Sequence, residues 1–311
     1  MGIYSGNLPQ LQDEIFITDA GLETELCFHK NIELPEFAAY DLLRTQQGYE
    51  MLFDYYSTYA LLGQKYSHGL VLETPTWRAN RDWGEKIGDS PDSLDHFNRK
   101  AVELLQQIRS EYESDSTAIV ISGNLGPRGD GYVASNLMTA EQARIYHLPQ
   151  IRTLADAGVD LITSLTLNYI EEAIGIVEAA REVNLPVVIS FTVETDGKLP
   201  TGESLQQAIE AVDRATDKAP VYYMINCAHP THFNHLFRES QPWSRRIRGI
   251  RCNSSCRSHE ELNNSETLDE GNPEEFGAQC HQLHDLAPNL NILGGCCGTD
   301  HRHIEAICRQ F

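Results

Sequence analysis

Three cysteines stand where folding could bring their sulfurs together: Cys227 in MINCAHP, and the adjacent Cys296 and Cys297 in GGCCG. Neighbouring residues in a regular strand point to opposite faces, so the pair can share one target only if the strand ends there. The flanking glycines free the backbone for that turn. Thiolates are good ligands for zinc, which prefers four ligands in a tetrahedron. Three protein sulfurs leave one position open, as in a catalytic rather than a structural zinc site. An incoming thiol could fill it. A free alkyl thiol has a pKa of about 8.5 and is roughly a few per cent ionised at neutral pH. Coordination to Zn2+ removes its proton and supplies a nucleophile for an activated methyl group. The product would be a thioether.

Other uses of the eight cysteines compete with this one. Cys27, Cys280 and Cys308 fall in helical patterns, where a cysteine packs as a small hydrophobe. Cys252 and Cys256 (CNSSC) could join Cys296 and Cys297 in a closed structural zinc site. His229, His301 and His303 lie close in sequence to the candidate ligands; each could bind metal, and a solvated or capping role is the plainer expectation. Asp300 is placed to cap the last helix.

Elements that would position these residues can be read from the hydrophobic pattern. Eight short apolar or β-branched runs recur, at 15–21, 69–77, 118–126, 160–167, 186–194, 220–230, 247–255 and 290–298. Amphipathic stretches at 93–112, 139–158, 170–183 and 204–216 alternate with them. Near-continuous apolar strands are buried on both faces, as in parallel α/β sheets. Eight such units predict a (β/α)8 TIM barrel over residues 1–311, with an open doubly wound sheet as the alternative. In a barrel the strand ends that carry Cys227, Cys296 and Cys297 share one rim. The acidic stretch 258–275 reads as a solvated loop, or as a lid over that rim.

Composition narrows the partners. Of 311 residues, 24 are Lys or Arg and 45 are Asp or Glu, for a net charge of -21. Such a surface repels nucleic acid and anionic lipid, so small molecules are the expected partners. The start, MGIYSGNLPQ, lacks a basic and apolar signal, and no run is long enough to span a membrane. A cytoplasmic location with reduced thiols is expected. Whether copies of the chain form a homo-oligomer is left open. GNLGPRGDG follows a strand without opening a clear helix, so it is not read as a dinucleotide loop. A cationic methyl donor could rest on aromatic faces, for which Trp77 and Tyr132 are the candidates.

These residues resemble the homocysteine S-methyltransferases. GGCCGT with an upstream INC resembles that family's zinc signature, and TDAGLETEL (18–26) its first-strand motif, with Ala20 where glycine is usual. GLVLETPTWRA (69–79) and GNLGPRGDGY (123–132) resemble its next two motifs more loosely. The resemblance implies a barrel, with Cys227, Cys296 and Cys297 as zinc ligands. It also implies that Asp19 holds the acceptor's ammonium group, that amides around Gly21 and Leu22 meet its carboxylate, and that Asn253 stands beside the metal. Glu23 and Glu25 read as first-turn helix charges. Two departures stand out. Leu165 replaces a glutamate that would contact the acceptor's amine, a loss worth about 1.5–3 kcal/mol of binding. The loop after the third strand is also shorter than the family pattern. The implied reaction moves a methyl group to a thiol, L-homocysteine or, given Leu165, another acceptor.

Overall fold

A computed structural model describes residues 2–239 and 241–311. Eight parallel strands close in sequence order: β1 (Phe16–Thr18), β2 (Gly69–Glu73), β3 (Ile119–Leu125), β4 (Leu161–Leu167), β5 (Val187–Phe191), β6 (Tyr222–Asn226), β7 (Ile247–Cys252) and β8 (Ile292–Gly295). Phe16 pairs with Gly69 on one side and Ile292 on the other, which closes the ring. The chain is therefore a (β/α)8 TIM barrel, and the open-sheet alternative is excluded. Each strand lies inside one of the apolar runs, because both of its faces are covered.

Alternation along the strands divides the buried residues into two sets. One set packs outward against the helices. The other set fills the barrel: Phe16, Val71, Val120, Leu161, Val188 and Ile292 form its apolar floor with Tyr222 and Met224. Two residues further along the strands, the inward positions become Thr18, Glu73, Ser122, Thr163 and Ser190. Ser122 donates to Thr163 Oγ1 at 2.7 Å and Ser190 to Asn226 Oδ1 at 2.6 Å. The floor is apolar, and polarity collects toward the C-terminal mouth.

Helices Pro91–Tyr112, Ala140–Ala157, Ile170–Glu182 and Leu205–Thr216 occupy the four amphipathic stretches. Ser90, Thr139 and Ser204 start three of them with reciprocal side-chain caps. The segment 258–275 is solvated as expected, but it is partly helical rather than all loop. Ser258 caps a helix at His259–Asn263, with Glu261 completing the capping box, and Asn272 caps the helix Pro273–Leu286. Between them, the Asp269 carbonyl accepts from Ser254 Oγ at 2.6 Å and its carboxylate from Ser255 Oγ at 2.7 Å. The segment is thereby tied to the end of β7.

Candidate functional site

Three strand ends bring the cysteines together. At the end of β6, Cys227 takes a left-handed φ of 55°, an uncommon conformation for a residue with a side chain. After β8, Gly298 turns the chain at φ 78°. A Cβ on Gly21 would strike the Cys296 carbonyl, so glycine there lets the β1 turn lie against the pair. The three Sγ atoms lie within 4.8 Å of one another. Among the described residues they are the one such convergence of Cys, His, Asp or Glu.

Cys227 and Cys297 are 3.7 Å apart. Sulfurs about 2.3 Å from a zinc ion at tetrahedral angles stand about 3.8 Å apart. Cys227 and Cys296 are closer, at 2.6 Å, and would spread by roughly 1 Å to flank the metal. The donor set therefore fits zinc. Hydrogen bonds from Cys227 and Cys296 hold Cys297 well below the usual thiol range against the effect of burial. Bonds to the other two sulfurs, then burial, push Cys227 well up.

Tyr132 reaches this cluster from the loop after β3. Its hydroxyl donates to Cys227 Sγ at 3.3 Å and lies 3.5 Å from Cys297 Sγ. Burial, then the neighbouring sulfurs, raise its pKa well above the phenol value, so it remains a donor. His259 packs on its ring, centroids 4.2 Å apart. The same imidazole places Nε2 2.6 Å from the Cys227 carbonyl and Nδ1 3.3 Å from Glu194 Oε1. The 258–275 segment thus buttresses the sulfur cluster.

A family profile for homocysteine S-methyltransferase matches residues 16–311. The chain belongs to the homocysteine S-methyltransferase family. It is 23% identical to homocysteine S-methyltransferase 1 of Arabidopsis thaliana over 316 residues, covering 95% of this chain and 93% of the relative. It is 26% identical to selenocysteine Se-methyltransferase of Brassica oleracea var. italica over 318 residues, covering 95% and 88%. The metallated form of the homocysteine methyltransferase MmuM from Escherichia coli shares the fold, with a TM-score of 0.74, 18% identity and coverage of 96% and 97%. The chain is a methyltransferase, and its family acts on small-molecule acceptors and donors.

Against this homocysteine S-methyltransferase background, Asp19 is already partnered. Its Oδ1 accepts from Arg251 Nη1 at 2.8 Å and its Oδ2 from the Tyr55 hydroxyl at 3.0 Å. Arg251 Nη1 also bonds Glu73 Oε2, and its Nε and Nη2 donate to the Gly295 and Ala20 carbonyls at 3.1 and 2.9 Å. Glu73 Oε1 is buried without a partner. Burial pushes the Glu73 carboxyl up to about 7 despite the Arg251 charge. Glu23 stands in the first turn of a short helix, as expected. Burial, reinforced by Cys296 and Asp19, also pushes its carboxyl up to about 7.

Gly21 N–H donates to the Thr299 carbonyl at 3.3 Å and Leu22 N–H to the Ala20 carbonyl at 3.1 Å, so both amides are engaged within the protein. Asn253 is buried and its Oδ1 has no partner, leaving an open acceptor. Leu165 is buried on β4 beside a register shift, where Thr166 adopts φ 62°. Asn226 holds Thr166 there, accepting from its amide and donating to its hydroxyl, both at 2.8 Å.

Trp77 donates from Nε1 to the Leu165 carbonyl at 3.4 Å, and the Arg78 guanidinium covers its ring at 3.9 Å. One indole face expected for a donor cation therefore already carries a protein cation. The closed four-cysteine site does not form: Cys252 is fully buried in the outer core, and Cys256 is exposed. Of the three histidines near the candidate ligands, two serve the backbone and His301 is exposed. His229 caps a short helix, while His303 bonds Asp300 and the Glu270 carbonyl. Burial drops His229 to about 4, which keeps it neutral.

Arg251, Glu73 and His259 escaped the sequence reading. The first two left a signal, since each is a charge inside an apolar run. His259 left a weaker one, in the Ser258-x-x-Glu261 capping pattern ahead of it.

Proposed function

We propose that this chain is a zinc-dependent thiol methyltransferase acting most directly on L-homocysteine to give methionine, within a methionine-forming reaction in the cytoplasm. The observation that carries the proposal is the convergence of three cysteine sulfurs within 4.8 Å at the mouth of a barrel of this family. Cys227, Cys296 and Cys297 would hold Zn2+, which when bound ionises a thiol at neutral pH and leaves room for it as a further ligand. Tyr132 fixes the sulfurs by hydrogen bonding. Asn253 offers its free Oδ1 to a donor on the substrate, such as the ammonium group. The reaction is a single displacement. The acceptor sulfur forms a bond to the methyl carbon as the donor's carbon–heteroatom bond breaks, and that electron pair leaves with a neutral thioether or amine.

Leu165 and the Asp19–Arg251 pair favour a second reading, in which the acceptor is a thiol other than homocysteine. Neither position offers a free carboxylate to an ammonium group. One relative is named for a selenocysteine acceptor, so acceptor choice varies among the proteins this chain resembles.

Zinc X-ray absorption on the reduced protein, before and after adding homocysteine, tests both readings. A rise from three sulfur ligands to four supports homocysteine. Three sulfurs unchanged by homocysteine but raised by another thiol support the second reading. Four sulfurs from the outset, or no zinc, overturn the proposal.

A further inference from the structure

Three arginines are buried among the described residues: Arg78 at 7% exposure, Arg109 at 8% and Arg251 at 5%. Buried guanidinium groups need partners, because removing an unpaired charge from water is costly. Arg109 has Asp160 at 2.9 Å, and Arg251 has Asp19 and Glu73. Arg78 has no carboxylate in salt-bridge contact among the described residues, and Asp130 and Glu23 act on it only from further off. Its one hydrogen bond runs from Nη1 to the Gly129 carbonyl at 3.2 Å, and its Nε–H is buried without an acceptor. What holds Arg78 is stacking. Its guanidinium lies 3.9 Å from the Trp77 ring centroid and 3.6 Å from that of Trp83. Two indoles cover the planar faces and leave the hydrogen-bonding edge as the part still able to bind.

The place of that edge matters. Arg78 follows β2 at the C-terminal mouth, and Gly129 belongs to the loop after β3. Three residues further on, the Tyr132 hydroxyl touches Cys227 and Cys297. The same loop therefore joins Arg78 to the sulfur cluster. Meanwhile the amides of Gly21 and Leu22, the expected cradle for a substrate carboxylate, already donate to Thr299 and Ala20. An amino-acid substrate entering this mouth brings a carboxylate, and of the three buried arginines Arg78 is the one with no carboxylate in contact.

We propose that Arg78, clamped between Trp77 and Trp83, is the carboxylate-binding residue of this methyl-transfer site and selects an amino-acid substrate, either the thiol acceptor or a sulfonium donor. The inference rests on the function proposed above. A planar guanidinium edge matches a carboxylate with two parallel hydrogen bonds, which a lysine cannot reproduce.

The test is tryptophan fluorescence titration of the zinc-loaded protein, which requires no turnover. The ligands are homocysteine and its decarboxylated analogue 3-aminopropanethiol, then S-methylmethionine and (3-aminopropyl)dimethylsulfonium. In the parent protein, removing the carboxylate from one of these pairs weakens binding by about 10- to 100-fold. The pair that responds identifies the carboxylate Arg78 holds. Arg78→Gln and Arg78→Met, each checked for retained zinc and thermal transition, abolish the difference by weakening only the carboxylated ligand. Arg78→Lys restores part of it. Equal affinity within both pairs in the parent protein overturns the proposal, as does an undiminished difference in both Arg78→Gln and Arg78→Met. Carboxylate-dependent binding without methyl transfer would sink the proposed function and leave Arg78 standing. Transfer with unchanged discrimination in the variants would do the reverse.

Discussion

Asp19 Oδ1 accepts a hydrogen bond from Arg251 Nη1 at 2.8 Å, linking the end of β1 to β7 across the barrel mouth. Glu73 on β2 shares the same guanidinium nitrogen. Two carboxylates thus compete for one buried cation. Removing the cation strands both.

Arg251→Met is therefore expected to destabilise the fold by about 3–5 kcal/mol, the usual cost of leaving a buried charge unpaired. Calorimetry should show the transition lowered by about 5–8 °C, because an unfolding entropy of about 2.1 cal/mol/K per residue over 311 residues gives about 1.5 °C per kcal/mol. Adding Glu73→Gln removes one stranded charge and should recover part of the loss. A fall below about 1 kcal/mol would mean that water already solvates the cluster.

Cys297→Ser should lose zinc and methyl transfer together, read as metal per chain and product formed. Cys252→Ala should keep stoichiometric zinc, because its thiol lies in the outer core near Cys280. Zinc retained by Cys297→Ser would disprove the three-sulfur assignment.

Tyr132→Phe removes one hydroxyl beside two sulfurs. A lost hydrogen bond of ordinary strength predicts about a tenfold fall in kcat/KM with zinc content unchanged. A variant with parental kcat/KM would show that the phenol only packs.

Asp300 supplies a pH test of the last helix. Burial alone would raise its carboxyl, but hydrogen bonds from His303, the Arg302 side chain and the Arg302 amide outweigh that and hold it well below the usual carboxylate range. A folded pKa below the unfolded one means that this contribution is present at neutral pH and falls away as acid protonates the carboxyl, beginning near about pH 4. Asp300→Ala should cost about 1–2 kcal/mol at pH 7, through loss of the helix cap, and much less at pH 3. Chemical denaturation at the two pH values measures the difference; equal losses would contradict the depressed carboxyl.

Much of the barrel was legible because buried parallel strands must be apolar on both faces, and β1 to β8 all lie within such runs. The four amphipathic stretches became helices for the matching reason, one apolar face against the sheet. The segment 258–275 is solvated, as charge and polarity suggested, with His259 its one buried residue, but it is not all loop. Ser258 and Asn272 instead cap helices, and Asp269 bonds back to β7.

By itself the sequence determined the strand order, the barrel and the three cysteines at strand ends, because hydrophobic period and chain order are local properties. Tertiary structure alone decided which charges meet. Arg251 lies 232 residues from Asp19, and the Tyr132 hydroxyl reaches Cys227 across 95. No local pattern encodes those meetings. Closure of the sheet placed Arg251 between two carboxylates, and the chain after β2 set Arg78 against two indoles with no carboxylate in contact among the described residues.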